Sequence, residues 1–170
     1  MAKSAKSVRP TQDLGGGLLF HIEPRGAGTA VALSGNVTEL ADFTPLLKLR
    51  GPLRVDLGAI DRINSLGVRG WIQFVRDCEA TGLDPSFERC SPVMVQQVSM
   101  ISNFMGSSPR VTSLVVPYLC PTCNAEEFQL VDIAGGARRA VQPTIPCPKC
   151  KSPMQIDELE EMYESLFEKL

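Results

Sequence analysis

Two C-x-x-C pairs in the second half of the chain carry the strongest chemical signal in the sequence. They stand in the near-repeats LCPTCN and PCPKCK, with 23 residues between the second cysteine of the first pair and the first cysteine of the second. A C-x-x-C turn directs both of its sulfurs to one point, and two such turns brought together by a hairpin give four thiolates in a tetrahedron. The spacing therefore predicts a structural zinc site in a zinc ribbon, with the ligands Cys120, Cys123, Cys147 and Cys150.

Three other chemistries fit the same pairs: an iron or iron–sulfur site, two disulfides, or a redox-active C-x-x-C. The sequence shows no secretory signal, so we expect a cytoplasmic, reducing compartment in which disulfides are disfavoured. A metal would supply the folding energy that so short a module cannot gain from a core of its own. The remaining cysteines, Cys78 and Cys90, fall on predicted core faces and are expected to be buried thiols.

Strand-like and helix-like segments alternate before the cysteine pairs. The strands predicted from short apolar runs bounded by turn residues are 18–24, 29–35, 53–60, 84–90 and 111–118. The helices predicted from apolar residues at helical spacing are 39–49, a segment from Ser65 to near Gly82, and 91–101. We expect the first two strands to form a hairpin. The alternation indicates an α/β fold whose later strands run parallel.

Two of these helices carry residues that bear on function. The helix at 39–49 is expected to be short or broken, because Pro45 lies in its interior. Its buried side would carry Leu40, Phe43, Leu46 and Leu47. The next helix begins in the stretch INSLGVRGW, where either Asn64 or Ser65 can accept hydrogen bonds from the free backbone N–H groups of the first turn.

Composition divides the chain into four parts. Residues 1–17 are polar, small and Gly-rich, so we expect a flexible tail. Residues 18–118 hold the α/β elements, and 119–155 form the ribbon, with a hairpin predicted around 134–136. Residues 156–170 predict an amphipathic helix that is expected to bury its apolar face against its own domain, a partner or a second copy. The side chains expected to pack are Leu159, Met162, Leu166 and Phe167.

Charge and motif content argue against several classes of function. The formal net charge is −2, which gives no basic excess for bulk nucleic-acid binding, and no apolar stretch is long enough to span a bilayer. No catalytic constellation is evident, so the sequence indicates a protein that is not an enzyme. We expect Asp56 and Asp61 to be cap and turn residues and not an acid pair.

The order of elements and the words ALSGNV, RVDLGAIDRINSLGVRGW and ATGL together resemble the STAS domain over about 18–118. That family includes bacterial anti-sigma-factor antagonists, stressosome subunits and the cytoplasmic tails of sulfate transporters. Its most specific motif is Asp-Ser-Ser/Thr-Gly at a helix start, after a strand ending in Asp-Leu. Asp56-Leu57 match the strand end, and 64–67 fall on the motif, with Asn64 in place of the acid and Leu66 in place of the second hydroxyl residue.

The resemblance implies a STAS-like mixed sheet with helices packed on it, followed by the ribbon and the C-terminal amphipathic helix. It also implies that Ser65 lies where a partner kinase phosphorylates the antagonists, which makes Ser65 the candidate regulatory residue. The corresponding contact surface would consist of Asn64, Ser65, Leu66, Gly67 and Arg69. The family usually has a last helix after its final strand, and the resemblance implies that the C-terminal helix is that element, displaced by an inserted ribbon.

The sequence thus predicts a non-catalytic protein-interaction module in bacterial signalling. It would dock a kinase-type regulator or other STAS-like proteins around Ser65, or associate with itself. One alternative is nucleic-acid binding through basic residues of the ribbon, namely Arg138, Arg139, Lys149 and Lys151. Opposing acids at Glu126, Glu127 and Asp132 make this alternative less favoured. The other alternative is a structural subunit of a larger assembly that uses the amphipathic helix.

Overall fold

The computed structural model describes residues 11–23, 28–134, 141–158 and 160–170. Within these residues the chain is a mixed α/β protein with two sheets and four helices, which confirms the predicted class. A single apolar core runs from Leu14 in the first sheet to Met154 in the second and reaches Leu166 in the last helix. Among the helices of the described ranges, none combines the length and the apolar character needed to cross a membrane.

The first sheet has five strands in the order β1-β2-β3-β4-β5. Its strands are β1 (Gln12–Gly15), β2 (Leu18–Glu23), β3 (Thr29–Val37), β4 (Leu53–Ile63) and β5 (Ser86–Glu88). The pairs β1–β2 and β2–β3 are antiparallel, whereas β3–β4 and β4–β5 are parallel. The predicted hairpin is therefore confirmed, and the predicted parallel arrangement is confirmed for β4 and β5.

Strand β1 lies in the segment for which the sequence predicted a flexible tail. Leu14 is buried on the core side of the sheet, and Asp13 Oδ1 accepts a hydrogen bond of 2.7 Å from the Gly15 N–H. Gly15, Gly16 and Gly17 all have positive φ, which lets the chain reverse into β2 in three residues. The glycine run is thus a turn and not a linker, while residues 1–10 lie outside the described ranges.

Helix α2 (Ser65–Thr81) follows β4 and places the chain's single tryptophan at the centre of the core. Trp71 is fully buried, and its ring lies 5.8 Å from that of Phe43, 5.7 Å from that of Phe87 and 6.0 Å from that of Phe104. Its Nε1 donates to the Phe104 carbonyl at 3.1 Å, so the polar edge of the indole is satisfied. The helix ends at Gly82, as predicted, and Gly82 has the left-handed conformation.

The other two helices of the first part are α1 (Thr44–Leu47) and α3 (Pro92–Met100). The first is a single turn, shorter than the predicted 39–49. Pro45 stands in its first turn, because a proline ring clashes with the carbonyl four residues earlier and prevents a helix from extending back to residue 41. As a result Leu40 is 67% exposed, whereas Leu46 is buried as predicted.

The second sheet has four antiparallel strands in the order β7-β6-β9-β8. They are β6 (Ser113–Leu119), β7 (Glu126–Asp132), β8 (Thr144–Pro146) and β9 (Pro153–Ile156). The sequence predicted a hairpin around 134–136, but β7 pairs with β6 and residues 135–140 lie outside the described ranges.

Strand β6 connects the two sheets. Its ladders are formed with β7 and β9, while two isolated parallel bridges, Phe87↔Val111 and Cys90↔Leu114, tie it and the preceding residues to the β5 region. The segment predicted as the last strand of the first sheet therefore belongs mainly to the second. The reason is that β5 has only three residues, so little edge is available for a regular parallel ladder. The predicted domain boundary at 118–119 falls inside β6.

Helix α4 (Glu160–Lys169) packs against α3 of its own chain. Tyr163 and Leu166 are buried, and Met162 and Phe167 are half-buried against the core. Ser165 Oγ donates to the Ser99 carbonyl at 2.9 Å, and Lys169 Nζ donates to the same oxygen. Of the three expected surfaces for this helix, its own domain is the one observed, while Leu159 lies outside the described residues.

Candidate functional site

The four paired cysteines form one cluster. Their sulfurs all lie within 4.8 Å of one another, with Cys120 Sγ 3.5 Å from Cys150 Sγ and Cys123 Sγ 3.7 Å from Cys147 Sγ. Four thiolates about 2.3 Å from one central ion would be separated by about 3.8 Å, whereas a disulfide bond is about 2.05 Å long. The geometry therefore suits one metal ion held by four sulfurs, and all four cysteines are free of disulfides.

Each cysteine pair closes a hairpin in the same way. In each pair the carbonyl of the first cysteine accepts a hydrogen bond from the backbone N–H of the residue that follows the second cysteine. Asn124 donates to Cys120 at 2.9 Å, and Lys151 donates to Cys147 at 3.0 Å. Both of these residues have positive φ, at 54° and 64°. The N–H groups of Cys120 and Cys147 then donate to Ala125 O and Ser152 O, each at 2.9 Å. The near-repeat in the sequence is thus a repeat of backbone geometry.

The pairing of β6 with β9 brings the two hairpins side by side. The register is Tyr118↔Ile156 and Leu119↔Gln155, directly before Cys120 and after the second turn. Tyr118 Oη donates to the Gln142 carbonyl at 2.6 Å and so anchors the chain that enters β8. Cys120 and Cys147 are consequently buried, and Cys123 and Cys150 lie nearer the surface.

Three of the four cysteines have shifted pKa values. The side chain and the backbone N–H of Ser152 lower the pKa of Cys150 to about 6, and the backbone N–H of Cys150 lowers the pKa of Cys147. The Ala125 N–H also favours the thiolate of Cys123, but loss of water contact and the three neighbouring sulfurs together raise its pKa to about 12. A bound cation would displace the protons that remain on the four sulfurs.

The other two cysteines differ clearly from this cluster. Cys78 and Cys90 are buried in the α/β core, as predicted. Burial raises the pKa of both thiols to about 12. They are therefore unreactive side chains of the core.

Asn64, and not Ser65, caps helix α2. Asn64 Oδ1 accepts from the Gly67 N–H at 2.7 Å, and Asn64 Nδ2 donates to Glu39 Oε2 at the same distance. The Asn64 hydrogen bond is the main cause that lowers the pKa of Glu39. Ser65 is the first helical residue and is exposed. Because Asn64 already occupies the capping position, the Ser65 hydroxyl is not needed for that role.

Gly67 differs from the other residues predicted to form the contact surface, because it is buried. A Cβ at this position would lie 2.2 Å from the carbonyl oxygen of Val37, so the start of α2 rests directly on the end of β3. The lack of a side chain at Gly67 thus serves packing. Asn64, Ser65, Leu66 and Arg69 are exposed.

Two leucines are exposed close to the start of α2. Leu66 is 57% exposed on the first turn of the helix, and Leu40 is 67% exposed beside Glu39, whose carboxylate is bonded to Asn64. We call the exposed residues Glu39, Leu40, Ser65, Leu66 and Arg69 the α2 surface. The sequence pattern missed Glu39 and Leu40, since it placed Leu40 on the buried side of a longer helix. The proline at position 45 was the signal that this helix could not reach residue 40.

Asp56 was expected to be a cap or turn residue, and the structure corrects this. It lies within β4, is 7% exposed, and accepts from the Gly58 N–H at 2.9 Å. Its other carboxylate oxygen lies 3.3 Å from Arg89 Nη1, so the buried charge is paired. Asp61 is exposed near the end of the same strand. The two acids are therefore in different environments, one buried and paired with an arginine, the other exposed.

Comparisons of the chain with protein-family models, with curated proteins and with solved structures found no match.

Proposed function

We propose that the chain is a non-catalytic protein-interaction module of bacterial signalling, built like a STAS domain and carrying a structural zinc ribbon. The observation that carries this proposal is the α2 surface, where two leucines, 57% and 67% exposed, stand beside an exposed serine at the start of a helix. Large exposed apolar side chains grouped with polar ones are typical of a surface that binds another protein.

The charges of the α2 surface suit regulation by a phosphate. Ser65 is the first residue of α2, and the backbone N–H groups and positive end of a helix stabilise an anion at that place. A phosphate on Ser65 would add about two negative charges beside two apolar contact residues, Leu40 and Leu66. Such a change weakens the binding of an apolar or acidic partner, and Glu39 nearby adds to the repulsion.

Several features of the fold support the STAS-like part of the proposal. The sheet is mixed, with an N-terminal antiparallel hairpin followed by parallel strands, and α2 follows the strand that contains Asp56-Leu57. Helix α4 returns from the ribbon to pack on α3, in keeping with a final helix displaced by an inserted ribbon. Because the apolar face of α4 packs on its own chain, we favour the interaction module over a structural subunit.

The cluster of four thiols supports zinc as the metal. Four sulfur ligands without an open position are the usual donor set of structural zinc sites, and both hairpins depend on the knuckle turns that the sulfurs would fix. We place the protein in the reducing cytoplasm, where the thiols stay available for metal. Zinc here would hold the second sheet together and take no part in a reaction.

The test of the proposed function compares two leucines of similar exposure. Leu66 lies on the α2 surface, and Leu130 is 61% exposed on β7. Proteins captured from the native cell by the wild type, by Leu66→Asp and by Leu130→Asp are compared, and the captured partner is then purified and titrated by calorimetry. We expect Leu66→Asp to lose the partner and Leu130→Asp to keep it. Equal affinity for both variants and the wild type would contradict the proposal.

A further inference from the structure

An open cleft of about 610 Å³ lies between the two sheets, apart from the metal cluster and the α2 surface. Its lining residues come from β4, from the turn between β5 and α3, from α3 itself, from β6 and β7, and from the segment after β9. This volume is within the usual range of small-molecule sites. Strands of both sheets therefore contribute to the cleft.

One corner of the cleft presents positive charge from a constrained arginine. Arg89 has a φ of 53°, uncommon for a residue with a side chain, and its N–H donates to Ser113 Oγ at 2.8 Å. Its Nη1 lies 3.3 Å from Asp56, yet 53% of the side chain remains exposed. Since a guanidinium has five N–H donors, the bond to Asp56 orients the group and leaves donors for an anion.

Beside this arginine, Ser91 has a buried hydroxyl without a partner. The residue is 3% exposed, and Ser91 Oγ has no hydrogen bond from any part of the chain that the structure describes. Buried hydroxyls nearly always have a partner. Ser91 lines the cleft and stands immediately before α3, whose first turn contributes a positive helix end. An oxygen of a bound anion would supply the missing partner.

Acidic and apolar side chains line the cleft as well. Asp61 and Glu158 are exposed lining residues, and within the described residues neither carboxylate takes part in a hydrogen bond or an ion pair. Phe128 from β7 lines the same space and is 58% exposed. A purely anionic ligand would be repelled by the two carboxylates, whereas a ligand with both charges would satisfy the acidic and the basic groups.

We propose that this cleft binds a small zwitterion with an apolar side chain, of which an apolar α-amino acid is the simplest. Its carboxylate accepts from Arg89 and Ser91, its ammonium group lies toward Asp61 and Glu158, and its side chain packs on Phe128. The proposal is independent of the function of the α2 surface.

Calorimetry on the full metal-bound chain, with analogues that each lack one charged group, measures how much each charge of the ligand contributes to binding. The probes are L-leucine and L-phenylalanine, with L-leucine amide lacking the carboxylate and 4-methylpentanoate lacking the ammonium group. We expect at least one amino acid to bind, and for leucine each analogue to bind at least about tenfold more weakly. No binding by either amino acid overturns the proposal. Equal binding of 4-methylpentanoate or of the amide overturns it too, since one charge would then be irrelevant.

Two variants place the ligand in this cleft. Ser91→Ala removes a hydroxyl that has no partner in the described chain, so the melting temperature is expected to stay unchanged or rise, while affinity falls about tenfold. Phe128→Ala, at an exposed position, is expected to weaken binding, and Leu130→Ala on the same strand is its control. Wild-type affinity in both Ser91→Ala and Phe128→Ala would show that the amino acid binds elsewhere.

Discussion

The side-chain amide of Asn64 joins two segments that are 25 positions apart, because its Nδ2 donates to Glu39 at 2.7 Å while its Oδ1 caps helix α2. One residue thus fixes both the start of the helix and the loop that carries Leu40. The α2 surface therefore depends on the two hydrogen bonds of the Asn64 side chain more than on the serine beside it.

We expect Asn64→Ala to lower the free energy of unfolding by about 1 to 2 kcal/mol, because it removes the cap. Ser65→Ala should change it by less than about 0.5 kcal/mol, since the exposed hydroxyl makes no capping bond. Urea denaturation of both variants checks this. A larger loss in Ser65→Ala than in Asn64→Ala would mean that the serine is the true cap.

The titration of Glu39 should report the same bond. Asn64 holds the pKa of Glu39 below 4.5, so the folded carboxyl binds a proton less readily than the unfolded one. A depressed pKa stabilises the protein above the unfolded value, and the contribution is lost as the pH falls through the folded value. NMR titration should give a Glu39 pKa below 4.5 in the wild type and a higher one in Asn64→Ala. An identical pKa in both proteins would rule out the bond in solution.

Gly67 and Gly70, both in α2, provide a matched pair. A Cβ on Gly67 would lie 2.2 Å from Val37 O, whereas the closest neighbour to a Cβ on Gly70 is Phe43 Cε2 at 3.9 Å. Gly67→Ala is expected to lower the free energy of unfolding by at least about 2 kcal/mol, because the backbone of α2 or of β3 would have to move to make room for the new Cβ. Gly70→Ala should stabilise it by about 0.5 to 1 kcal/mol, because alanine favours the helix. Thermal unfolding measures both, and equal melting temperatures would contradict the close contact.

Protein purified under reducing conditions without chelator is expected to contain one zinc ion per chain. Cys147→Ser should lose the metal and unfold the second sheet, because three thiolates hold zinc poorly. Cys78→Ala, which removes a buried thiol far from the cluster in sequence, should keep the metal even where it lowers stability. Elemental analysis of the three proteins gives the metal content. Iron in place of zinc would support the alternative of an iron site, and metal retained in Cys147→Ser would contradict the site.

Leu166 and Leu170 test the packing of α4. Leu166 is fully buried and Leu170 is 37% exposed. Leu166→Asp should lower stability by at least about 3 kcal/mol, since it removes a buried leucine and places a charge in the core. Leu170→Asp should cost less than about 1 kcal/mol. Denaturation curves give both values. Similar small losses would mean that the helix is detached in solution.

Local patterns allowed much of this fold to be predicted. The helix from Ser65 to Gly82, the first hairpin and the cysteine cluster follow from residue spacing and turn residues within short windows. The near-repeat also implied that the two C-x-x-C turns share one backbone geometry. The left-handed conformation of Asn124 and Lys151 was not predictable, because neither position is a glycine.

Relationships between distant segments were not predictable in this way. The segment 111–118 is recognisable as a strand, but its apolar residues do not identify its neighbours, so its place in the second sheet was missed. The pairing of Asp56 with Arg89 and of Asn64 with Glu39 likewise joins residues whose separation gives no periodic signal. These pairs are where the candidate sites acquire their charge and orientation.

The central position of β6 also bears on aggregation. Its sequence, SLVVPYL, is rich in residues that favour strands, and in the intact chain it is covered by β7 on one side and, at its end, by β9 on the other. A fragment ending at residue 118 would leave open the edge of this apolar strand that β7 covers in the intact chain, and an open edge is the condition for pairing with other copies. The ribbon strands β7 and β9 therefore cover the edges of β6. Loss of the metal is expected to cause self-association of the chain as well as unfolding of the second sheet.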